Sequence, residues 1–176
     1  MRQRLGLAQA LLGTPRLLLL DEPTSGLDPL LRHEFFEIIR GLTLAGATVI
    51  LASHVLTELE ARTDLVVIMR QGRLVTFGDM EQLRRGAGLP VTIRVRGDAK
   101  AIASKLDGGF LRTIGPNGRS IDIDCPAEDK MSLLRLLAGF GEDCADVEIR
   151  PPSLDDLYLY YSGPGVSAGN EGTVSA

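Results

Sequence analysis

The chain has 176 residues, 44% of them hydrophobic, and a formal net charge of −4, which suits one domain or a small pair of domains. The acidic balance argues against nucleic acid as the main partner, because binding a phosphate backbone needs a basic surface. No apolar run approaches the roughly 20 residues that cross a bilayer, and we expect no secretory signal at Met1. The expectation is a cytoplasmic protein whose two cysteines, Cys125 and Cys144, are reduced thiols.

The first half of the chain alternates helical periodicity with short, continuous apolar runs. This order predicts a largely parallel α/β sheet whose apolar strands are buried on both faces. Three such strands are few for a sheet of this kind. The predicted elements are a helix at 1–12, a strand at 17–20, a helix from Pro29 to about Leu42 with Asp28 as its N-cap, a strand at 47–53, a short helix at 55–62, strands at 65–69 and 73–77 joined by a tight turn at Gln71-Gly72, and a helix through Arg85 with Asp79 as its N-cap.

The second half begins after a linker at 86–90 that is rich in glycine and ends in proline. Its element order predicts a ferredoxin-like βαββαβ domain at 90–161, with a small antiparallel sheet and two helices on one face. Residues 162–176 lack periodicity and predict a disordered tail. The predicted elements are strands at 91–95, 110–114, 120–124 and 146–150, helices at 99–106 and 127–138, the latter with an apolar stripe of Met131, Leu134 and Leu137, and a final helix from Ser153 to Tyr161.

Polar side chains follow two of the predicted parallel strands. Asp21 and Glu22 come directly after the first apolar strand, and Ser53 and His54 end the next. Because ligands bind at the carboxyl ends of strands in open α/β sheets, these side chains should share one edge. One carboxylate can hold Mg²⁺ through water, a second can polarise an attacking water, and an imidazole can contact a phosphate. The set forms one end of a phosphoryl-transfer site.

Other interpretations of the same residues remain open. A strand that simply stops at an acidic turn would also carry Asp21 and Glu22, and His54 alone would more often be a satisfied histidine or a helix cap. A nucleophilic pair of Ser53 and His54 is the weaker rival, because adjacent residues at a strand end point in divergent directions.

The run from Leu17 to Pro29 resembles the Walker B strand and D-loop of ATP-binding-cassette (ABC) ATPases, and Ser53-His54 resembles their switch histidine. The helix at 1–12 resembles the one that follows the family's Leu-Ser-Gly-Gly signature. Three motifs in the right order, over roughly residues 1–85, make the resemblance specific. It implies a partial P-loop-NTPase-like parallel sheet at 1–86, the C-terminal part of an ABC ATPase domain.

The resemblance also implies roles for individual residues. Asp21 would hold Mg²⁺ through water, Glu22 would be the catalytic base, and His54 would contact the γ-phosphate of ATP. Ser25 and Asp28, in the D-loop, would face the nucleotide and the partner subunit. The cofactors implied are ATP and Mg²⁺.

The phosphate cradle of such a site is missing from the sequence. A Gly-x-x-x-x-Gly-Lys-[Ser/Thr] loop is absent, since no Gly-Lys dipeptide occurs anywhere in the chain. By resemblance the P-loop, the glutamine loop and the signature would lie before Met1. We therefore expect the chain alone to be inactive, because backbone N–H groups and a lysine normally hold the β and γ phosphates.

The βαββαβ tail, which closes with Pro-Ser-Leu-Asp-Asp-Leu-Tyr at 152–158, resembles the accessory domain of bacterial ABC-2-type exporter ATPases. The stretches 2–13, 58–64 and 87–91 resemble the ATPase of the copper-site maturation system for nitrous oxide reductase. These resemblances imply a nucleotide-binding subunit that pairs with a second copy and a membrane-spanning permease, cytoplasmic and peripheral to the inner membrane. The alternative is a non-catalytic interaction or regulatory module with an inert half-site.

Overall fold

The computed structural model describes residues 2–11, 13, 15–106 and 109–163. The chain divides into two compact units, Met1–Arg62 and Thr63–Ala176, so the predicted linker at 86–90 falls inside the second. The elements are α1 (Arg2–Leu11), β1 (Leu17–Asp21), α2 (Pro29–Leu44), β2 (Thr48–Ala52), α3 (Leu56–Glu60), β3 (Val66–Arg70), β4 (Arg73–Gly78), α4 (Met80–Ala87), β5 (Val91–Gly97), α5 (Ala99–Lys105), β6 (Leu111–Ile114), β7 (Ser120–Cys125), α6 (Lys130–Ala138), a 3-10 turn (Gly141–Asp143), β8 (Cys144–Arg150) and α7 (Leu154–Ser162).

The first unit is built on a parallel pair of strands. β1 and β2 run in register from Leu17 opposite Thr48 to Asp21 opposite Ala52, so both strands end at the same edge. The expectation that β1 is buried on both faces is wrong: Leu18 is 4% exposed, whereas Leu17 and Leu19 are 55% and 67% exposed. Alternate side chains point to opposite faces of a strand, and only one face is covered.

The third apolar strand does not join this pair. β3 pairs with β4 in a separate antiparallel hairpin, which corrects the expected three-stranded parallel sheet. The predicted turn explains the outcome, because Gln71 and Gly72 both have positive φ, 51° and 75°. Two such central residues give a turn whose twist matches that of the flanking strands, so β3 pairs with its immediate neighbour in sequence.

The second unit contains a four-stranded antiparallel sheet in the order β6-β7-β5-β8. Its core holds alternate residues of β5 and β7 together with α5 and α6. The predicted stripe of α6 is corrected at one position: Leu137 is buried and Leu134 is partly buried against the core, as expected, but Met131 is 54% exposed and Leu133 is buried as well. Residues 133 and 137 are four apart and so lie on one helix face.

A second core joins α7 to α4 and the hairpin. The hydroxyl of Tyr161 is buried and donates a hydrogen bond of 2.9 Å to the carbonyl of Leu83. α7 ends at Ser162, at the start of the predicted disordered tail, and residues 164–176 of that tail lie outside the described residues. Residue 12, predicted as the end of the first helix, also lies outside them.

Candidate functional site

The parallel register brings the two predicted polar strand ends together. The backbone N–H of Glu22 donates to the carbonyl of Ala52 over 2.9 Å, which extends the pairing one residue past β1. His54 Nδ1 lies 2.8 Å from Glu22 Oε2. The His54 and Glu22 side chains are 74% and 37% exposed, so the pair opens to solvent.

The backbone of Glu22 is in the left-handed region, with φ of 45°. A non-glycine residue with positive φ is uncommon, and such backbones collect at functional sites. The chain forms a turn directly after β1, and the Glu22 carboxylate lies beside His54 at the end of β2. The arrangement places a carboxylate and an imidazole in hydrogen-bonding distance, as general acid–base chemistry requires.

The turn after Glu22 leads into α2. The amide of Ser25 donates to the Glu22 carbonyl over 3.2 Å, and the amide of Leu27 donates to the Thr24 carbonyl over 3.1 Å. Ser25 and Asp28, two of the predicted site residues, are exposed. Both therefore lie on the surface of this turn, available to a ligand or partner.

Asp28 also has a structural role, which was predicted. It is the N-cap of α2, and its carboxylate oxygen Oδ1 accepts from the amide of Leu31 over 3.0 Å. A carboxylate at this position also interacts favourably with the helix dipole. One oxygen of Asp28 is thus engaged by the helix.

Three residues for which the sequence predicted no role, Thr24, Arg32 and Glu58, form a hydrogen-bonded cluster with the turn. Glu58, on α3, accepts hydrogen bonds from Thr24 Oγ1 at 3.3 Å and from Arg32 Nη1 at 2.7 Å. Arg32 Nε in turn donates to the carbonyl of Leu27 over 2.9 Å. No local sequence signal marks Glu58, because its partners Thr24 and Arg32 lie 34 and 26 residues away in the sequence.

Asp21 is the last residue of β1 and is exposed beside Glu22. Within 2–11, 13, 15–106 and 109–163, no group of three or more His, Cys, Asp or Glu side chains could hold a metal ion. One or two carboxylates at an open strand end fit Mg²⁺ bound through water and substrate phosphates, and do not fit an all-protein cage.

Other chemistry-bearing features lie in the second unit. A groove of about 430 Å³ is lined by Thr92, Asp124, Arg150, Ser153, Asp156 and neighbouring prolines. Its polar groups bond to one another or to neighbours: Thr92 donates to Asp124 over 2.6 Å, and Ser153 and Asp156 form a capping box.

Burial raises the pKa of the thiols of Cys125 and Cys144, which suits the predicted reduced state.

Over the part of the chain that the structure describes, no helix combines the length and apolar character needed to span a membrane.

The chain is similar to known ATP-binding proteins. "Daunorubicin resistance ATP-binding protein DrrA3" of Streptomyces coeruleorubidus is 33% identical over 175 residues, covering 93% of this chain and 53% of the relative. "Nod factor export ATP-binding protein I" of Rhizobium johnstonii is 32% identical over 169 residues, covering 93% and 51%. "Uncharacterized ABC transporter ATP-binding protein all4389" of Nostoc sp. is 49% identical over 83 residues, covering 47% and 25%.

A family profile described as "AAA domain, putative AbiEii toxin, Type IV TA system" matches residues 1–60. The chain spans about half the length of the first two curated relatives, DrrA3 (53%) and the Nod factor export protein (51%). The similarity to both relatives extends across both compact units, and the expected resemblance to ATP-binding proteins is confirmed; the Nostoc relative carries the name of an ABC transporter ATP-binding protein.

Proposed function

We propose that this chain carries the hydrolytic edge of an ABC-type ATPase subunit, because it resembles ATP-binding proteins over 93% of its length and an ABC transporter ATP-binding protein over 47%. The observation that supports this most is the 2.8 Å approach of His54 to Glu22 at the joined ends of two parallel strands. In this proposal Glu22 accepts a proton from the attacking water and His54 contacts the γ-phosphate. Both side chains keep the solvent exposure that a water and a phosphate need.

Asp21 would hold Mg²⁺ through water, from the exposed strand end next to Glu22. The ion, when bound with ATP, neutralises charge on the phosphate oxygens. Ser25 and Asp28 face the nucleotide and a second nucleotide-binding subunit from the exposed side of the turn. Asp28 can do so while capping α2, because only its Oδ1 accepts from Leu31.

No Gly-Lys dipeptide occurs in this sequence, so another polypeptide segment must supply the phosphate cradle. We use "assembled ATPase" for this chain joined to a segment that supplies the cradle. The 176-residue chain alone should bind ATP weakly and should not hydrolyse it. Tight binding of MgATP by this chain in isothermal titration calorimetry would contradict that part of the proposal.

We propose a ferredoxin-like arrangement for residues 90–161, as an accessory domain. The supporting observation is the sheet order, in which β7 lies between β5 and β6 and so splits the β5-α5-β6 unit. The assembled ATPase would be cytoplasmic and dock on the inner membrane through a permease subunit.

The identity of the transported cargo is the most specific part of the proposal. The names of two relatives refer to drug resistance and to Nod factor export, which favours export. The resemblance of the stretches 2–13, 58–64 and 87–91 to the copper-maturation ATPase favours a role in copper-site maturation. Deleting the gene and measuring the copper content of nitrous oxide reductase tests this role. Unchanged copper content would exclude it and leave export.

The test of the central proposal is ATP turnover by the assembled ATPase. Glu22→Gln should lower kcat about a hundredfold or more, as expected for loss of a general base, while ATP binding persists. Glu37→Gln, on the exposed surface of α2, is the matched control and should leave kcat unchanged. Wild-type kcat in Glu22→Gln would refute the role of Glu22, and absence of turnover in the unaltered assembly would favour the non-catalytic alternative.

A further inference from the structure

We propose that Glu58 is a positioning residue for this site. Its carboxylate fixes the turn at 23–28, which presents Ser25 and Asp28, and it does so from the helix that directly follows His54. The inference rests on the proposed function only for its effect on turnover. The positioning itself follows from the contacts of the carboxylate.

Each oxygen of Glu58 has its own partner. Oε2 accepts from the hydroxyl of Thr24, 3.3 Å away, and Oε1 accepts from Arg32 Nη1, 2.7 Å away. Arg32 Nε reaches the carbonyl of Leu27 at 2.9 Å. One carboxylate therefore holds the turn at both ends, directly at Thr24 and through a guanidinium at Leu27.

Burial makes this cluster more than a surface ion pair. Among the described residues classed as buried, Thr24 is the polar one, at 3% exposure, and the Glu58 side chain is 19% exposed. Exposed pairs contribute little because solvent screens them, but a buried hydroxyl that loses its acceptor keeps its full desolvation cost. The turn is thus held in the observed conformation by a sheltered acceptor.

The segment 53–58, which carries Glu58, also contacts the residue immediately before the turn. His54 contacts Glu22 immediately before the turn, and Glu58 contacts Thr24 within it. The amide of Val55 donates to Ser53 Oγ over 3.1 Å, which turns the chain from β2 into α3 between these two contacts. Movement of the turn on contact with a partner subunit would therefore change the surroundings of His54 through bonded neighbours.

The positioning is tested on the 176-residue chain by amide hydrogen exchange. In Glu58→Gln and in Thr24→Val, exchange at the Ser25 and Leu27 amides should accelerate about tenfold or more, because the hydrogen bonds of the turn open locally. Glu34→Gln, an exposed position on α2, is the matched control and should leave both amides unchanged. The double variant should exchange no faster than the faster single variant, since the Thr24 contact that Thr24→Val removes is one of the two contacts that Glu58→Gln perturbs.

Unchanged exchange at Ser25 and Leu27 in both single variants would overturn the proposal. Protection of the paired β1 and β2 amides, which lie in the same compact unit as both substitutions, reports whether each variant folds. If Glu58→Gln fails to fold, Thr24→Val decides, because it removes the hydroxyl and leaves the charges in place.

Turnover by the assembled ATPase tests the link to the reaction. Glu58→Gln should lower kcat about tenfold and raise KM for ATP, because the turn that it fixes presents Ser25 and Asp28, which face the nucleotide in the proposed function. Faster exchange with unchanged kcat would overturn the role in the reaction. Absence of turnover in the unaltered assembly would instead refute the proposed function, and the exchange experiment would still decide whether Glu58 positions the turn.

Discussion

Gly86, in α4, lies close to the hydroxyl of Tyr161, in α7. A methyl group added to Gly86 would lie 2.7 Å from the hydroxyl oxygen of Tyr161. That hydroxyl is already engaged, since it donates to the carbonyl of Leu83 over 2.9 Å and its residue is 7% exposed. Gly86→Ala must therefore displace the hydroxyl from its acceptor.

Two opposing effects set the change in the free energy of unfolding that Gly86→Ala causes. Alanine in place of glycine stabilises a helix by about 1 kcal/mol. Separating a buried hydroxyl from its carbonyl costs about 1–3 kcal/mol. Gly86→Ala should thus be neutral or destabilising by up to about 2 kcal/mol in the wild-type chain. In a Tyr161→Phe background the hydroxyl is gone, and Gly86→Ala should stabilise by about 1 kcal/mol.

The assay is native-state hydrogen exchange of the buried amides of β3 and α4, which gives the free energy of unfolding of this core in the four variants of the cycle. Gly41→Ala, in α2, is the control because nothing lies within 4 Å of its added methyl group. It should stabilise α2 equally in both backgrounds. An equal effect of Gly86→Ala with and without the Tyr161 hydroxyl would refute the reasoning.

Three further predictions concern the cap, the sheet and the closing helix. Asp28→Ala should destabilise α2 by about 1 kcal/mol by thermal unfolding, while Asp28→Asn, which can still accept from Leu31, costs less; equal losses would exclude capping. The hydrogen bond from Arg94 lowers the pKa of Asp122 below its ordinary 3.8, so its stabilisation is present above about pH 4 and is lost as pH falls through the lowered value. An acid titration of Asp122→Asn should lack this component, and an unchanged titration would contradict it. Leu157→Ala, at a fully buried position, should cost about 2–5 kcal/mol in a urea melt, and a cost under about 1 kcal/mol would argue against the second core.

Local chemistry made several features predictable. Gln71-Gly72 predicted a hairpin because positive φ is favourable there, and Asp28 predicted a cap because its carboxylate can reach the first amides of α2. The meeting of Glu22 and His54 followed from parallel pairing of two apolar strands.

Features that depend on distant elements were not predictable. A run of leucines does not say which face of a strand is covered, so the exposure of Leu17 and Leu19 had no sequence signal. Glu58 was missed because its partners, Thr24 and Arg32, lie 34 and 26 residues away in the sequence. Such a contact depends on how α3 packs against the turn and not on any local pattern.

The central claim is that Glu22 and His54 act as one unit at the end of β1 and β2. The most direct test is kcat of the assembled ATPase in Glu22→Gln, His54→Ala and the double variant. Residues that act together in a reaction are strongly non-additive, so the double variant should be about as slow as the slower single variant. Losses that multiply in the double variant would contradict the claim, because the two side chains would then act independently.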